Sequence, residues 1–527
     1  MSRSFLSPLP AVRLVRRFER GLDDAMAAAR TCYSGKGIVS PEEVGGDGLP
    51  EPAAAERRAR RDRLAADIYG AGHHTTFQHV HFQFALENVS RQFLWSFLHS
   101  HPFYNSEQVS QRYVTVKPGN YAVPELDGEA LAIYRATAER MNLDYAELSE
   151  RLTPVASAAF FERFPARRHQ PERWAREIRR KAQEAARYLL PVATFAYLYH
   201  TVSAITLFRY RRLCELHDAP AEQRLVVDGM VAAVLAADPD LARVMEDPLP
   251  LEATVEHAAF TTLGRVGPAA GFKERFDAAL GGKVARLVDW KSAAEATVAE
   301  SVREVLGATA GEISDDEALL LVLDPERNRY LGEALNLGTH SKLARCLVHA
   351  HYTFRKKLSH TADSQDQRHR MTPASRPILA AQVDGEPDIV APALVSRDEA
   401  CSRFFAESCA RAWDGMARLA RFGVPVESAH YLLPNAVAIR FTESADLLNL
   451  HHKHTMRLCL NAQEEIWRAS LDEAEEVRRV HPRLGRWLLP PCSQRARAGA
   501  KPPCPEGSRY CGVPVWKLDL ADVARDI

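Results

Sequence analysis

Three groups of side chains in this 527-residue chain are suited to chemistry. The first joins "GHHTTFQH" (Gly72 to His79) with "SEQVSQRY" (Ser106 to Tyr113). There Arg112 can fork onto a phosphate or carboxylate, Ser110 and Gln111 can bond a base or sugar, and Glu107 can orient an amide or accept a proton. The competing reading is a turn and the polar face of a strand. The second is "SQDQRHRMTPASR", where Arg368 and Arg370 flank His369 and Ser375 and Arg376 follow, a cationic donor set that suits phosphates. Its competing reading is a solvated basic loop. The third gathers His481, Cys492, Cys504 and Cys511 near the carboxyl end. Thiolates with an imidazole make a closed tetrahedral zinc site, and a tail with so few apolar residues needs a staple to fold. The wide, unequal gaps from Cys492 to Cys504 and from Cys504 to Cys511 match no CxxC knuckle, so free or disulfide-prone thiols are the alternative.

The elements that must position these groups recur. "HVHFQF" at His79 to Phe84 returns as "HAHYTF" at His349 to Phe354, an offset of 270, each with the period-two alternation of a half-buried strand. At that offset, without a gap, Leu98, His99 and Ser100 fall on Arg368, His369 and Arg370. "RYLLP" at Arg187 to Pro191 returns as "HYLLP" at His430 to Pro434, an offset of 243, and the same offset lays "APAEQR" (Ala219 to Arg224) on "AQEEIW" (Ala462 to Trp467). The shorter second offset implies about 27 extra residues in the first copy, assigned to the charged stretch "FPARRHQPERWAREIRRK". The chain thus divides into a first unit over 10–235, a second over 250–480 and a cysteine-containing tail over 481–527, with "AADPDLARVMEDPLPLE" as the joint. Strand-like segments stand beside long amphipathic stretches such as "ACSRFFAESCARAWDGMARLARFG", capped by Gly423. The expected fold is α+β, two tandem units, each a mixed sheet with long helices.

Composition narrows the function. The 68 basic residues balance the 68 acidic ones, which argues against nucleic-acid and anionic-membrane partners. No signal-like or membrane-length apolar segment occurs, so the expected protein is soluble and cytoplasmic. Six of the nine cysteines, Cys32, Cys214, Cys346, Cys401, Cys409 and Cys459, read as buried reduced thiols. No GxGxxG or GxxxxGK[ST] run is present, which argues against a Rossmann or P-loop site.

"AARTCYS" (Ala28 to Ser34), "GHHTTFQHVHFQF" (Gly72 to Phe84) and "NSEQVSQRYV" (Asn105 to Val114), followed by "ARYLLP" and "A..E.R", resemble in order the flavin-dependent thymidylate synthases (ThyX family). That family carries "AAR.CY", "GH.TPFEH..FTF" and "RHR…S.RY". The resemblance covers most of the first unit and, more faintly, the second. It implies FAD as cofactor, and reductive methylation of dUMP to dTMP with methylenetetrahydrofolate and NADPH. It also implies active sites built between subunits, and a homo-dimer of fused pairs. It assigns Ser110, Arg112 and Glu107 to the catalytic group and Gln111, Arg112 and Arg457 to substrate binding. FAD binding falls to His73, His79, His99, Arg368, His369 and Arg370.

The chain departs from that pattern. The first copy lacks both signature arginines, with Leu98 and Ser100 in their places and, in this alignment, two residues inserted before Ser110, while Ile205 and Cys214 stand where later arginines are usual; Arg209, Arg211 and Arg212 are nearby. The second copy keeps Arg368, His369, Arg370 and Arg457 but has "MTPASRP" instead of "SQRY". A fused pair that needs only one half-site from each copy accounts for this split. The alternatives are a catalytically degenerate flavin- or nucleotide-binding paralogue with a regulatory or structural role, and a zinc-stapled interaction or nucleic-acid-binding protein, the latter disfavoured by the balanced charge.

Overall fold

The computed structural model describes residues 5–99, 101–213, 218–525 and 527. Ser100, Cys214 and the side chain of His99 lie outside the described residues.

Among the described residues, eight strands form two four-stranded sheets. In the first, β1 (Ala11–Arg17), β2 (His81–Ser90), β3 (Asn105–Gln108) and β4 (Phe195–Ser203) stand in the order β1-β2-β4-β3. In the second, β5 (Ala285–Trp290), β6 (His351–Ser359), β7 (Ala374–Ser375) and β8 (Ala438–Asp446) repeat that order as β5-β6-β8-β7. The α+β architecture in two repeated units follows the sequence. Each sheet is antiparallel in every pairing rather than mixed. The register repeats as well: Phe84 faces His200, and their counterparts at the two repeat offsets, Phe354 and Glu443, face each other in turn.

The strands form where apolar residues alternate. In β2, Phe82, Phe84, Leu86 and Val89 are buried, and the register slips between Leu86 and Val89, where Asn88 takes a positive φ of 55°. That slip is a bulge, which turns Val89 and Ser90 inward at the strand's end. Each sheet has its own core. Leu22, Met26, Phe77, Phe82, Phe93, Leu207 and Met230 fill the first. Val298, Leu319, Val322, Tyr352, Phe354, Leu447 and Val477 fill the second. Local signals start and end the helices. Ser40 with Glu43 and Ser314 with Glu317 form capping boxes, and Gly423, with φ of 69°, follows the helix Glu399–Arg421.

The compact units interleave segments of the two copies. One comprises Met1–Asn142, Pro191–Val266 and Ala412–Leu433. The other comprises Leu143–Leu190, Gly267–Arg411 and Pro434–Ile527. Each unit therefore contains the "YLLP" tyrosine of the other copy. The charged stretch of the first copy is an additional helix, Pro171–Ala186, preceded by a 3-10 turn in which Arg167 lies over the rings of Phe164 (4.0 Å) and Trp174 (4.2 Å). The proline-rich joint is packed rather than open, with Leu241 and Val244 in the first core.

Candidate active site

In the first unit the edge strand β3 leads into the turn that carries the candidate ligands. Edge strands leave one side of the backbone unpaired, which suits a binding segment. Glu107 is exposed on β3 opposite Tyr199. Beyond it, Arg112 N–H donates to Ser110 Oγ at 3.2 Å, and Tyr113 and Val114 N–H donate to Ser110 O at 3.2 and 3.0 Å. The turn reading of this stretch is thus correct as geometry, and it is what presents the side chains. Gln111 is buried, Ser110 and Arg112 are half-buried, and the Arg112 guanidinium lies 5.5 Å from the centre of the Tyr113 ring. Arg91 ties this segment to the helix Arg91–His99, donating to Gln108 Oε1 at 3.0 Å and to Val109 O at 2.6 Å.

"GHHTTFQH" is a 3-10 turn over His74–Gln78. His73 and His79 bracket it and are exposed, while His74 Nε2 stands 3.0 Å from Tyr69 O.

The register corrects the gapless alignment of the histidine motif. Ser106 pairs with His200 and Ala374 with Glu443, and those two partners are equivalent, so Ser106 matches Ala374. Counting back equally from each, Ser106 leads to His101 and Ala374 to His369. His101, and not His99, is the counterpart of His369, with Ser100 and Pro102 where the second copy has its arginines. Counted from His101, no insertion before Ser110 is needed. The loss of both arginines in the first copy stands. His101 Nε2 lies 2.9 Å from the Tyr210 hydroxyl and Phe103 N–H donates to its Nδ1 at 2.9 Å, an arrangement that assigns the ring proton to Nε2. Behind it, His200 is buried against Tyr210 and Phe97, and burial pushes its pKa down to about 3, so it is neutral.

In the second unit the motif follows the helix His360–Asp366. The structure brings His369 and Arg457 together: Arg457 Nε donates to His369 Nε2 at 2.8 Å and Nη2 to Gln365 O at 2.7 Å. Burial, then the neighbouring Arg457 charge, hold the His369 pKa well below its ordinary value. A neutral imidazole that accepts at Nε2 carries its proton on Nδ1. Arg368 is exposed and Arg370 half-buried. Arg376 is committed to the fold: its Nε donates to both oxygens of Asp363 at 3.0 Å and its guanidinium lies over Phe441.

Beneath that motif lies an ionic cluster that leaves no trace in the sequence beyond charges inside strand and helix patterns. Lys356 Nζ meets Asp366 at 2.6 Å and Glu473 at 2.7 Å; Lys453 Nζ meets Asp366 at 3.1 Å and also contacts Glu443; His454 Nε2 meets Glu473 at 2.9 Å. All are buried. Burial, and then the Asp366 charge, push Glu443 up to about 7, whereas the two lysines hold Asp366 and Glu473 low. Counted by repeat offset, the first copy has Leu86, His200 and Tyr210 in place of Lys356, Glu443 and Lys453, so only the second copy is built on ions here.

The expected zinc set is not formed. His481 is bound elsewhere, with Nδ1 2.9 Å from the Tyr352 hydroxyl and Nε2 3.3 Å from Ser292 O. Cys492, Cys504 and Cys511 do line one small cavity, joined by Cys459, and all four are free thiols. Among the described residues no group of three or more His, Cys, Asp or Glu side chains is placed to hold a metal ion. Apolar packing of Ala462, Trp467, Cys492, Val515 and Val523 is what consolidates the tail. Of the other cysteines, Cys346, Cys401 and Cys409 are buried as expected, Cys459 is half-buried and Cys32 is exposed.

The fold and the motifs together define a duplicated α+β protein in which each copy repeats one strand order. The family model of the thymidylate synthase complementing protein matches residues 13–240 and again 286–483. The chain belongs to that family, the flavin-dependent thymidylate synthases, and carries its domain twice. The flavin-dependent thymidylate synthase of Geobacter sulfurreducens is 30% identical over 187 residues, 35% of this chain and 75% of its own length. That of Nitratidesulfovibrio vulgaris is 30% identical over 235 residues, 44% of this chain and 85% of its own. That of Sulfurisphaera tokodaii is 30% identical over 149 residues, and the chain spans 57% of its length. Likeness to solved structures is distant. The UMP/dUMP methylase PolB of Streptomyces cacaoi, bound with 5-Br dUMP, has a TM-score of 0.30 and 21% identity over 45% of this chain and 93% of that one. No helix among the described residues is long and apolar enough to cross a membrane.

Proposed function

We propose that this chain is an FAD-dependent thymidylate synthase that methylates dUMP to dTMP with methylenetetrahydrofolate and NADPH, its ligand residues divided between its two copies. The observation that carries this reading is that one copy retains the Arg368–His369–Arg370 motif, with Arg457 bonded to His369 at 2.8 Å, and the other retains the Ser110–Arg112 turn. Neither copy has both.

FAD fits the donors of the second copy by chemistry. Arg368 and Arg370 offer guanidinium forks for its phosphates, and His369 offers an Nδ1–H donor beside them. His73 and His79 are the first copy's contacts to the flavin in this reading. The flavin supplies the hydride. The chain's own residues bind and orient the nucleotide: Arg112 and Gln111 take its phosphate and base, Ser110 donates through its hydroxyl, and Arg457 remains cationic while holding His369. Glu107 is the carboxylate available to hold a proton. Preorganised cations beside an anionic substrate act where charge develops, the setting in which fixed donors are most effective. The reading carries with it a cytoplasmic protein that assembles as a dimer of fused pairs.

One observation favours a second reading, a flavin- or nucleotide-binding paralogue without turnover: Arg376, the arginine next to β7, is locked to Asp363. The purified chain distinguishes the two. Deuterium incorporation or methylation at C5 of dUMP supports the synthase, and bound flavin with neither outcome supports the paralogue.

A further inference from the structure

Two buried relays of serine, glutamate and tyrosine recur at equivalent places outside the ligand residues. In the second unit Glu465 accepts three bonds: Ser359 N–H at 2.6 Å, Ser359 Oγ–H at 2.7 Å and the Tyr188 hydroxyl at 2.5 Å. Gln463 Nε2 donates to the Tyr188 oxygen at 2.5 Å. Ser359 Oγ meanwhile caps the helix His360–Asp366, accepting from Ala362 N–H at 3.1 Å. In the first unit Glu222 accepts from Ser90 N–H at 2.6 Å, Ser90 Oγ–H at 2.5 Å and the Tyr431 hydroxyl at 2.6 Å, and Ser90 Oγ accepts from Phe93 N–H at 2.9 Å. Every serine, glutamate and tyrosine of the two relays is buried.

Tyr188 and Glu222 belong to the first copy, Tyr431 and Glu465 to the second. Each tyrosine therefore completes the relay of the other copy. What each relay holds is also specific. Ser359 begins the short helix that Arg457 closes at Gln365, and Arg368, His369 and Arg370 follow directly. Ser90 begins the helix whose first residue, Arg91, grips Gln108 and Val109, immediately before Ser110.

We propose that Tyr188 and Tyr431 are positioning residues exchanged between the copies: Tyr188, through Glu465 and Ser359, sets the Arg368–His369–Arg370 motif, and Tyr431, through Glu222 and Ser90, sets the Ser110–Arg112 turn. The assignment of FAD to the first motif and dUMP to the second rests on the functional reading above; the positioning does not. A buried carboxylate with three donors that loses one has no water to replace it, so the loss is passed to the serine and its helix.

The test compares the full chain with Tyr188→Phe and Tyr431→Phe, which keep the rings. Hydrogen exchange read by mass spectrometry is expected to quicken over residues 359–370 in Y188F with 90–99 unchanged, and the reverse in Y431F. FAD titration is expected to show a Kd raised about tenfold in Y188F alone, and dUMP binding weakened about tenfold in Y431F alone. A uniform rise in exchange in both variants, or none over 359–370 in Y188F, overturns the proposal, because a merely structural contact does not sort ligands. Should Y188F fail to fold, Gln463→Met removes the donor to the Tyr188 oxygen together with the cap that Gln463 Oε1 gives Ile466 N–H at 3.3 Å, and unchanged exchange over 359–370 in it overturns the proposal equally. If the parent binds no FAD, the functional reading falls, and the exchange data still decide the positioning.

Discussion

The Tyr188 hydroxyl stands 2.5 Å from Oε2 of Glu465, far along the chain in the other copy, and the equivalent Tyr431 stands 2.6 Å from Glu222. The two landmarks that reveal the repeat in sequence, the "YLLP" tyrosine and the glutamate of "APAEQR" or "AQEEIW", thus meet across copies rather than within them. A duplicated chain so joined is expected to fold as one cooperative piece, and neither copy expressed alone has a full set of donors for its buried glutamate. Urea unfolding followed by near- and far-UV circular dichroism checks this, and the two signals should fall in a single shared transition.

The ionic cluster predicts a pH dependence. The folded Glu443 pKa is raised to about 7, above its ordinary value of 4.5, so the fold favours its protonated form. That stabilisation is complete below the ordinary carboxylate range and is lost as pH rises through about 7. Glu443→Gln removes it. Urea unfolding of parent and variant should show the parent losing stability relative to E443Q as pH rises from about 5 through 7, by on the order of 2 kcal/mol, and levelling off about one pH unit higher.

Breaking the cluster is expected to cost more than reshaping it. Lys453→Met leaves Asp366, Glu443 and Glu473 with one lysine among three buried carboxyls. The expected loss is roughly 3–5 kcal/mol in chemical denaturation. A loss below about 1 kcal/mol contradicts the dry, paired geometry.

Arg457→Ala removes the donor to His369 Nε2 and the bond to Gln365 O. The expected weakening of FAD binding is about 1.5–3 kcal/mol, or roughly 10- to 100-fold in Kd by flavin absorbance. Arg457→Lys restores the charge without the fork and is expected to recover only part of it.

Thiol reactivity separates the cysteines. Cys32 is exposed, whereas burial raises the Cys401 and Cys492 thiols to about 11 and Cys459 to about 12. Iodoacetamide at about neutral pH is expected to label Cys32 first and to leave Cys401, Cys459 and Cys492 unlabelled until the chain is unfolded, as read by peptide mass spectrometry.

Much of this architecture is legible in the sequence, because period-two runs such as "HFQF" and the repeated "YLLP" are local signals that burial enforces. The "SQRY" turn and the "RHR" motif stand out for a different reason, as local clusters of polar donors, since Arg368 is exposed and Ser110, Arg112 and Arg370 are half-buried. The histidine alignment is not: the helices after Ser90 and Ser359 differ in length, Arg91–His99 against His360–Asp366, so a gapless offset sets His99 where the strand register sets His101. Nor is the approach of Tyr188 to Glu465, since hydrogen bonding between residues so far apart leaves no periodic trace. The tail misleads for a chemical reason: His481 resembles a ligand by proximity in sequence, yet its ring nitrogens are taken by Tyr352 and Ser292.

The most direct test of the divided site is dTMP formation by the purified full chain supplied with FAD, NADPH, methylenetetrahydrofolate and dUMP, with Arg112→Ala and Arg370→Ala assayed beside it. The account predicts turnover by the parent and its loss in both variants, one residue from each copy. An FAD-loaded parent that forms no dTMP, or either variant working at the parent's rate, would contradict it.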